Sequence, residues 1–270
     1  MRAKKLIILY AVVLFLVVFA VTFNCVCAIT RFDVRFEVSS MTEEAQRVQA
    51  RLEKEYGGKS YLFFGQEDVE TIVLEEGGGY LTVESFSKTF PNVIHAQVRE
   101  KLEVLSVKLG DKYYAIDEEN TILAINGTAV NNVSGNNTAL YGIEFAEAQV
   151  GEKLTVAAED AAAFKAVQVG YDVMDSMLGG ARSNVVAMRY SDDLADLEYG
   201  GTDLYIEMSE GVCVWIIDPL EDIESKMTRA MEAYLGLGDA QRTYGYITVA
   251  SADGEADYRA EEPPFSVAEQ

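Results

Sequence analysis

Leu6 to Phe23 is a run of 18 consecutive positions without a charge, directly behind Met-Arg-Ala-Lys-Lys. A helix of that length rises about 27 Å, close to the roughly 30 Å hydrocarbon core of a bilayer. The run therefore predicts a transmembrane helix over residues 6–28, with residues 1–5 as a cytoplasmic tail. Arg2, Lys4 and Lys5 precede the run, and such cations stay on the cytoplasmic side. The competing expectation is a cleaved signal segment with Ala28 at the cut. The run exceeds the apolar length of about 7–15 residues usual in such segments, which favours the uncleaved anchor.

Charge sets the class of partner. The chain has 44 acidic and 22 basic residues. Three of the basic residues precede the apolar run and no acid does, so residues 31–270 carry 19 basic against 44 acidic, a net −25. That balance argues against nucleic acid and against contact with an anionic lipid surface over the bulk of the chain. Of the three cysteines, Cys25 and Cys27 sit at the end of the run and Cys213 lies in an apolar Val-Cys-Val-Trp stretch. Cys213 reads as a small buried hydrophobe, so no internal disulfide is expected and stability must come from a core. About 240 residues suffice for two domains.

Periodicity then divides the chain. Phe32 to Val38 alternates apolar and polar, which reads as a strand. Ser40-Met-Thr-Glu43 has the spacing of a capping box, opening a helix with Ala45, Val48, Leu52 and Tyr56 on one face. Gly57-Gly58 ends it. Residues 66–76 form a second helix with Val69, Ile72 and Val73 inward, stopped by three glycines. Strands at 80–88 and 93–101 follow, joined by a turn that holds Pro91-Asn92. The order is β-α-α-β-β, with both helices expected on one face of the sheet.

This order, directly behind one apolar span, resembles the POTRA domain of the bacterial cell-division family FtsQ/DivIB. In that family the last POTRA strand reads roughly Pro-Asn-Thr-Val-x-Ile-x-Val-x-Glu-Arg. Here Pro91, Asn92, Val93, Ile94, Ala96, Val98, Glu100 and Lys101 stand in the same frame. Ala96 replaces a larger aliphatic, and Lys101 replaces arginine with loss of its planar fork. A Tyr-x-Ile-Asp sequence follows in the family, matched by Tyr114 to Asp117. Asn120 stands where glycine is usual, and asparagine tolerates the positive φ of that turn.

The resemblance is looser in the second domain. Asn126–Thr138 is an Asn/Gly-rich loop with sequons at Asn126, Asn132 and Asn136, read as loop chemistry. A helix at 159–178, strands at 185–190, 204–208 and 212–218, and a helix at 220–235 are expected. Tyr246 through Gly254 resembles the closing hairpin of the family, with Asp253-Gly254 as its turn. The strand after it is the family's docking edge for FtsB/DivIC and, beside it, FtsL. The resemblance thus makes Ser251, Asp253, Gly254, Glu255, Ala256, Asp257, Tyr258 and Arg259 the candidate partner-binding residues. Glu255 and Asp257 at alternate positions, followed by Pro263-Pro264, suit an edge guarded against non-specific pairing. Ala256 and Tyr258 would provide side-chain selectivity.

Catalytic signatures are sparse. His95 is the single histidine, so two-imidazole metal sites are excluded, and period 2 turns it away from the face of Ile94, Ala96 and Val98. No Gly-x-Ser-x-Gly, Walker loop or His-Glu-x-x-His sequence is present. Acid pairs such as Asp192-Asp193 and Glu221-Asp222 read as solvated surface in so acidic a chain.

The expected fold is α+β: a single N-terminal transmembrane helix, a POTRA domain at 31–103, a β-rich domain with flanking helices at 104–259, and a disordered tail at 260–270. The expected function is a bitopic divisome scaffold in the cytoplasmic (inner) membrane at the division septum, with its C-terminal domain outside. It would recruit FtsB/DivIC-like and FtsL-like bitopic proteins. No catalysis, cofactor, metal, nucleic acid or small-molecule substrate is expected. The alternative is a generic membrane-anchored extracytoplasmic binding or adhesion module.

Overall fold

The computed structural model describes residues 2–128, 138–192 and 201–267. Asn132, Asn136 and Asp193, singled out above, lie outside the described residues. The chain is α+β and divides into two compact units, Met1–Lys101 and Leu102–Gln270.

The first unit begins with helix α1 (Arg2–Val26). Strand β1 (Arg31–Glu37), helices α2 (Thr42–Tyr56) and α3 (Gln66–Gly77), and strands β2 (Leu81–Thr89) and β3 (Val93–Glu100) follow.

One expectation about the N-terminus is corrected. Residues 2–5 are part of helix α1. Among the described residues, no helix is long and apolar enough to cross a membrane, which overturns the transmembrane span over 6–28. Cys27 and Ala28 do not extend α1. Cys27 is fully buried, and Ala28 bridges to Ser60.

The three strands are ordered β1-β3-β2, with β1 parallel to β3 and β2 antiparallel to it. Ile94, Ala96 and Val98 alternate inward from β3 and meet Val48 and Leu52 of α2 and Val69, Ile72 and Val73 of α3. Leu81 and Val83 enter the same core, and so does Phe86, three positions further on. A bulge between Val83 and Ser85 absorbs the odd residue and returns Phe86 to the inner face. The expected capping box is absent. Met41 occupies the cap position of α2 with no side-chain bond, because Ser39 and Ser40 spend their donors on Glu100 of β3.

The second unit opens with strands β4 (Leu105–Leu109), β5 (Lys112–Ile116), β6 (Ile122–Asn126) and β7 (Thr138–Tyr141). The short pair β8 (Phe145–Ala146) and β9 (Thr155–Val156) precedes helices α4 (Ala161–Leu178) and α5 (Ala181–Asn184). Strands β10 (Val185–Ser191), β11 (Asp203–Met208) and β12 (Cys213–Ile217) lead to helices α6 (Ile223–Gly236) and α7 (Asp239–Arg242). Strands β13 (Tyr246–Val249) and β14 (Asp257–Arg259) close the chain.

Nine of these strands form one sheet, ordered β14-β13-β12-β11-β10-β7-β4-β5-β6. Its main core joins Leu140, Met188, Leu204, Ile206, Val214, Ile216 and Ile247 to Val167, Tyr171 and Met174 of α4 and Met227, Ala230 and Met231 of α6. Lys226 is buried on α6 and donates to the carbonyls of Ile217 and Asp218, both at 2.9 Å, so the charge is capped by the end of β12. Asn120 adopts φ 63°, as the turn before β6 requires.

The opposite face carries Tyr141, Tyr205, Trp215 and Tyr246. Across it lies the segment expected to be a loose tail at 260–270. Phe265 packs against Tyr205, Trp215 and Tyr246, Val267 is buried, and Arg189 donates to the Ser266 carbonyl at 3.0 Å. The segment is held because one aromatic ring from each of β11, β12 and β13 leaves an apolar floor that needs covering.

Candidate functional site

The rim of the nine-stranded sheet is β14, antiparallel to β13, with Tyr246↔Arg259, Ile247↔Tyr258 and Thr248↔Asp257 in register. The strand is three residues long and begins at Asp257, not at Gly254. Ser251 to Gly254 form the preceding turn, in which the Gly254 N–H donates to the Ser251 carbonyl at 3.3 Å. Arg229 of α6 donates to the Ala252 carbonyl and ties the turn to the helix layer.

Alternation sorts the candidate residues into two sets. Ala256 and Tyr258 are half-buried and pack against the main core on the helix side. The Tyr258 hydroxyl donates to the Tyr244 carbonyl at 3.0 Å and lies 3.4 Å from the Gln241 carbonyl. These two residues are therefore committed to the fold of the free chain. Ser251, Asp253, Glu255, Asp257 and Arg259 are exposed, and Gly254 is intermediate.

On the outer face, Arg259 Nε donates to Asp257 Oδ2 at 3.1 Å, and the Tyr246 hydroxyl donates to Glu261 Oε1 at 3.1 Å. The Asp257 carboxylate beside it raises the Arg259 guanidinium above its usual range. Burial pushes the Tyr246 hydroxyl up. The rim thus presents an acid, a base and a short stretch of strand backbone.

Gly245 sets the approach of β14. It has φ 93°, and a side chain there would strike the Arg259 carbonyl. The polar centre beneath the aromatic floor is Asp203, 2% exposed, which accepts from Tyr205 Oη and Trp215 Nε1, both at 2.9 Å. Burial raises its carboxyl, and the two donors oppose that rise. Sequence reasoning did not find Asp203, because an acid within an apolar strand becomes legible only when its donors are adjacent. Cys213 is half-buried, and burial pushes its thiol up to about 11.

In the first unit, His95 Nδ1 lies 3.1 Å from Asp33 Oδ2, across the parallel pair β1–β3. The pair borders a hollow of about 140 Å³ that Arg35, Ser85 and Gln97 also line. Among the described residues, no group of His, Cys, Asp or Glu is placed to hold a metal ion.

No protein-family model matches the chain, and no curated protein matches it.

Proposed function

We propose that the chain is a non-catalytic scaffold of the bacterial division septum, acting outside the cytoplasm to recruit FtsB/DivIC-like and FtsL-like proteins. The observation that carries this reading is the short charged edge strand β14 at the rim of the nine-stranded sheet. The resemblance of residues 91–101 and 246–254 to FtsQ/DivIB supports it further.

Recruitment at β14 is β-augmentation. A partner strand adds to the backbone edge, and main-chain hydrogen bonds supply much of the affinity. Asp257 and Arg259 alternate in charge along the exposed rim, so the selective contacts are electrostatic and favour a partner strand with complementary charge at the facing positions. Ala256 and Tyr258 support this edge from beneath rather than touching the partner.

The test is capture of the FtsB/DivIC-like and FtsL-like proteins of the same organism by the purified chain. An Asp257→Lys, Arg259→Glu double variant, with folding checked by circular dichroism, is expected to bind at least about tenfold more weakly. Equal capture by both forms would move the docking site away from β14. Capture of neither protein by the unsubstituted chain would remove the division reading and leave the generic binding module.

A further inference from the structure

Three segments of the first unit converge where α1 ends. Tyr61 N–H donates to the Cys27 carbonyl at 2.7 Å, Ile29 N–H to Lys59 at 2.8 Å, and Gly58 N–H to Ile29 at 2.9 Å. Thr30 N–H donates to the Asn92 carbonyl at 3.2 Å, and Lys88 Nζ to the Tyr61 carbonyl at 3.0 Å. Ala28 bridges antiparallel to Ser60, and beyond it Tyr61 to Phe63 form a turn in which Phe63 N–H donates to the Ser60 carbonyl at 3.3 Å.

Residues 27–32, 56–65 and 85–94 contain no Asp or Glu, although the chain has 44 acids, and they contribute Arg31, Lys59 and Lys88. The same segments expose apolar side chains that a folded domain ordinarily hides: Phe63 at 89%, Phe90 at 68% and Leu62 at 48%. The apolar surface continues onto α1, where Val26, Phe19 and Phe15 are also exposed.

We propose that this end of the first unit rests on an anionic lipid bilayer. Leu62, Phe63 and Phe90 enter the boundary between headgroups and acyl chains, and Arg31 and Lys59 face the lipid phosphates, while Lys88 holds the Tyr61 carbonyl in place beneath them. Aromatic rings and basic side chains are the residues favoured at that depth, the rings for their amphipathic breadth and the cations for the negative surface. In so acidic a chain an anionic surface admits contact where acids are absent and bases are present, as in these three segments. The contact concerns the loops and is independent of the division reading. A second protein surface fits less well, because the apolar residues crown loop tips rather than line a groove.

The experiment uses the full chain with Phe63→Trp, incubated with phosphatidylcholine/phosphatidylglycerol vesicles whose acyl chains carry bromine. The chain's one tryptophan, Trp215, is 9% exposed, so the unsubstituted protein provides the background signal. The added indole is expected to shift to the blue and lose at least half its emission to brominated lipid. Adding Lys59→Glu to that variant should reduce the quenching, and more so as the phosphatidylglycerol share rises. Emission that stays red-shifted and unquenched overturns the proposal. Emission shielded from iodide yet untouched by brominated lipid also overturns it, because a protein surface then covers the patch.

Discussion

Phe265 lies flat on Tyr205, with ring centroids 4.2 Å apart and planes inclined by 20°. The two residues are 60 positions apart in the chain, and their contact closes the open face of the nine-stranded sheet. Phe265→Ala removes the stack and wets the rings of Trp215 and Tyr246. A loss of about 1–3 kcal/mol is expected, below the full core value because Phe265 is only half-buried. Thermal unfolding with near-ultraviolet circular dichroism measures it, and an unchanged melting temperature would mean the ring is not seated in solution.

Val98 and His95 test the two faces of β3. Val98 is fully buried, while the side chain of His95 is 37% exposed and pairs with Asp33. Val98→Asp places an unpaired charge among apolar neighbours and is expected to cost several kcal/mol, about 3 or more. His95→Ala should change stability by less than about 1 kcal/mol. Urea denaturation of both variants makes the comparison, and loss of partner capture by a folded His95→Ala chain would assign the histidine a role in binding.

Glu100 should make the first unit sensitive to acid. Burial works against ionisation of its carboxyl, but the hydroxyl and backbone donors of Ser40 and Ser39 outweigh it and hold the carboxyl below its reference of 4.5. A depressed carboxyl stabilises the folded state above its unfolded value, and the contribution disappears as pH falls through the lower folded value. Glu100→Gln is therefore expected to cost about 1 kcal/mol at neutral pH. The difference from the unsubstituted chain should shrink as pH falls below the 4.5 reference and disappear once pH is under the lowered folded value. Denaturation midpoints followed from pH 7 down through 4.5 and below decide it; a difference that does not shrink with falling pH would show that the charge is not the cause.

Gly245 controls the rim. Gly245→Ala adds a methyl group at a positive φ, facing the Arg259 carbonyl, so β14 must move away from β13. The expected cost is about 2–3 kcal/mol, concentrated in faster amide exchange of Ile247 and Tyr258. Tyr258→Phe, which removes only the hydroxyl bonded to Tyr244, should cost about 1 kcal/mol. Uniform exchange across the second unit in the Gly245→Ala chain would contradict a local role.

What the sequence determined by itself is local and periodic. Alternation at Ile94, Ala96 and Val98 sets the inner face of β3, the 3.6 spacing of Val48 and Leu52 turns one side of α2 inward, and Asn120 marks a turn at positive φ. The order of elements through residue 101 follows from such signals. The rest depends on contacts between distant positions, which no local period encodes. Ser40 is drawn from the start of α2 to Glu100 because a folded carboxylate 60 residues away is the stronger acceptor. Ala256 and Tyr258 read as docking residues until α6 and β13 supply a core for them to cover. The last residues read as a loose tail, because only the assembled sheet brings Tyr205, Trp215 and Tyr246 together into an apolar floor for Phe265.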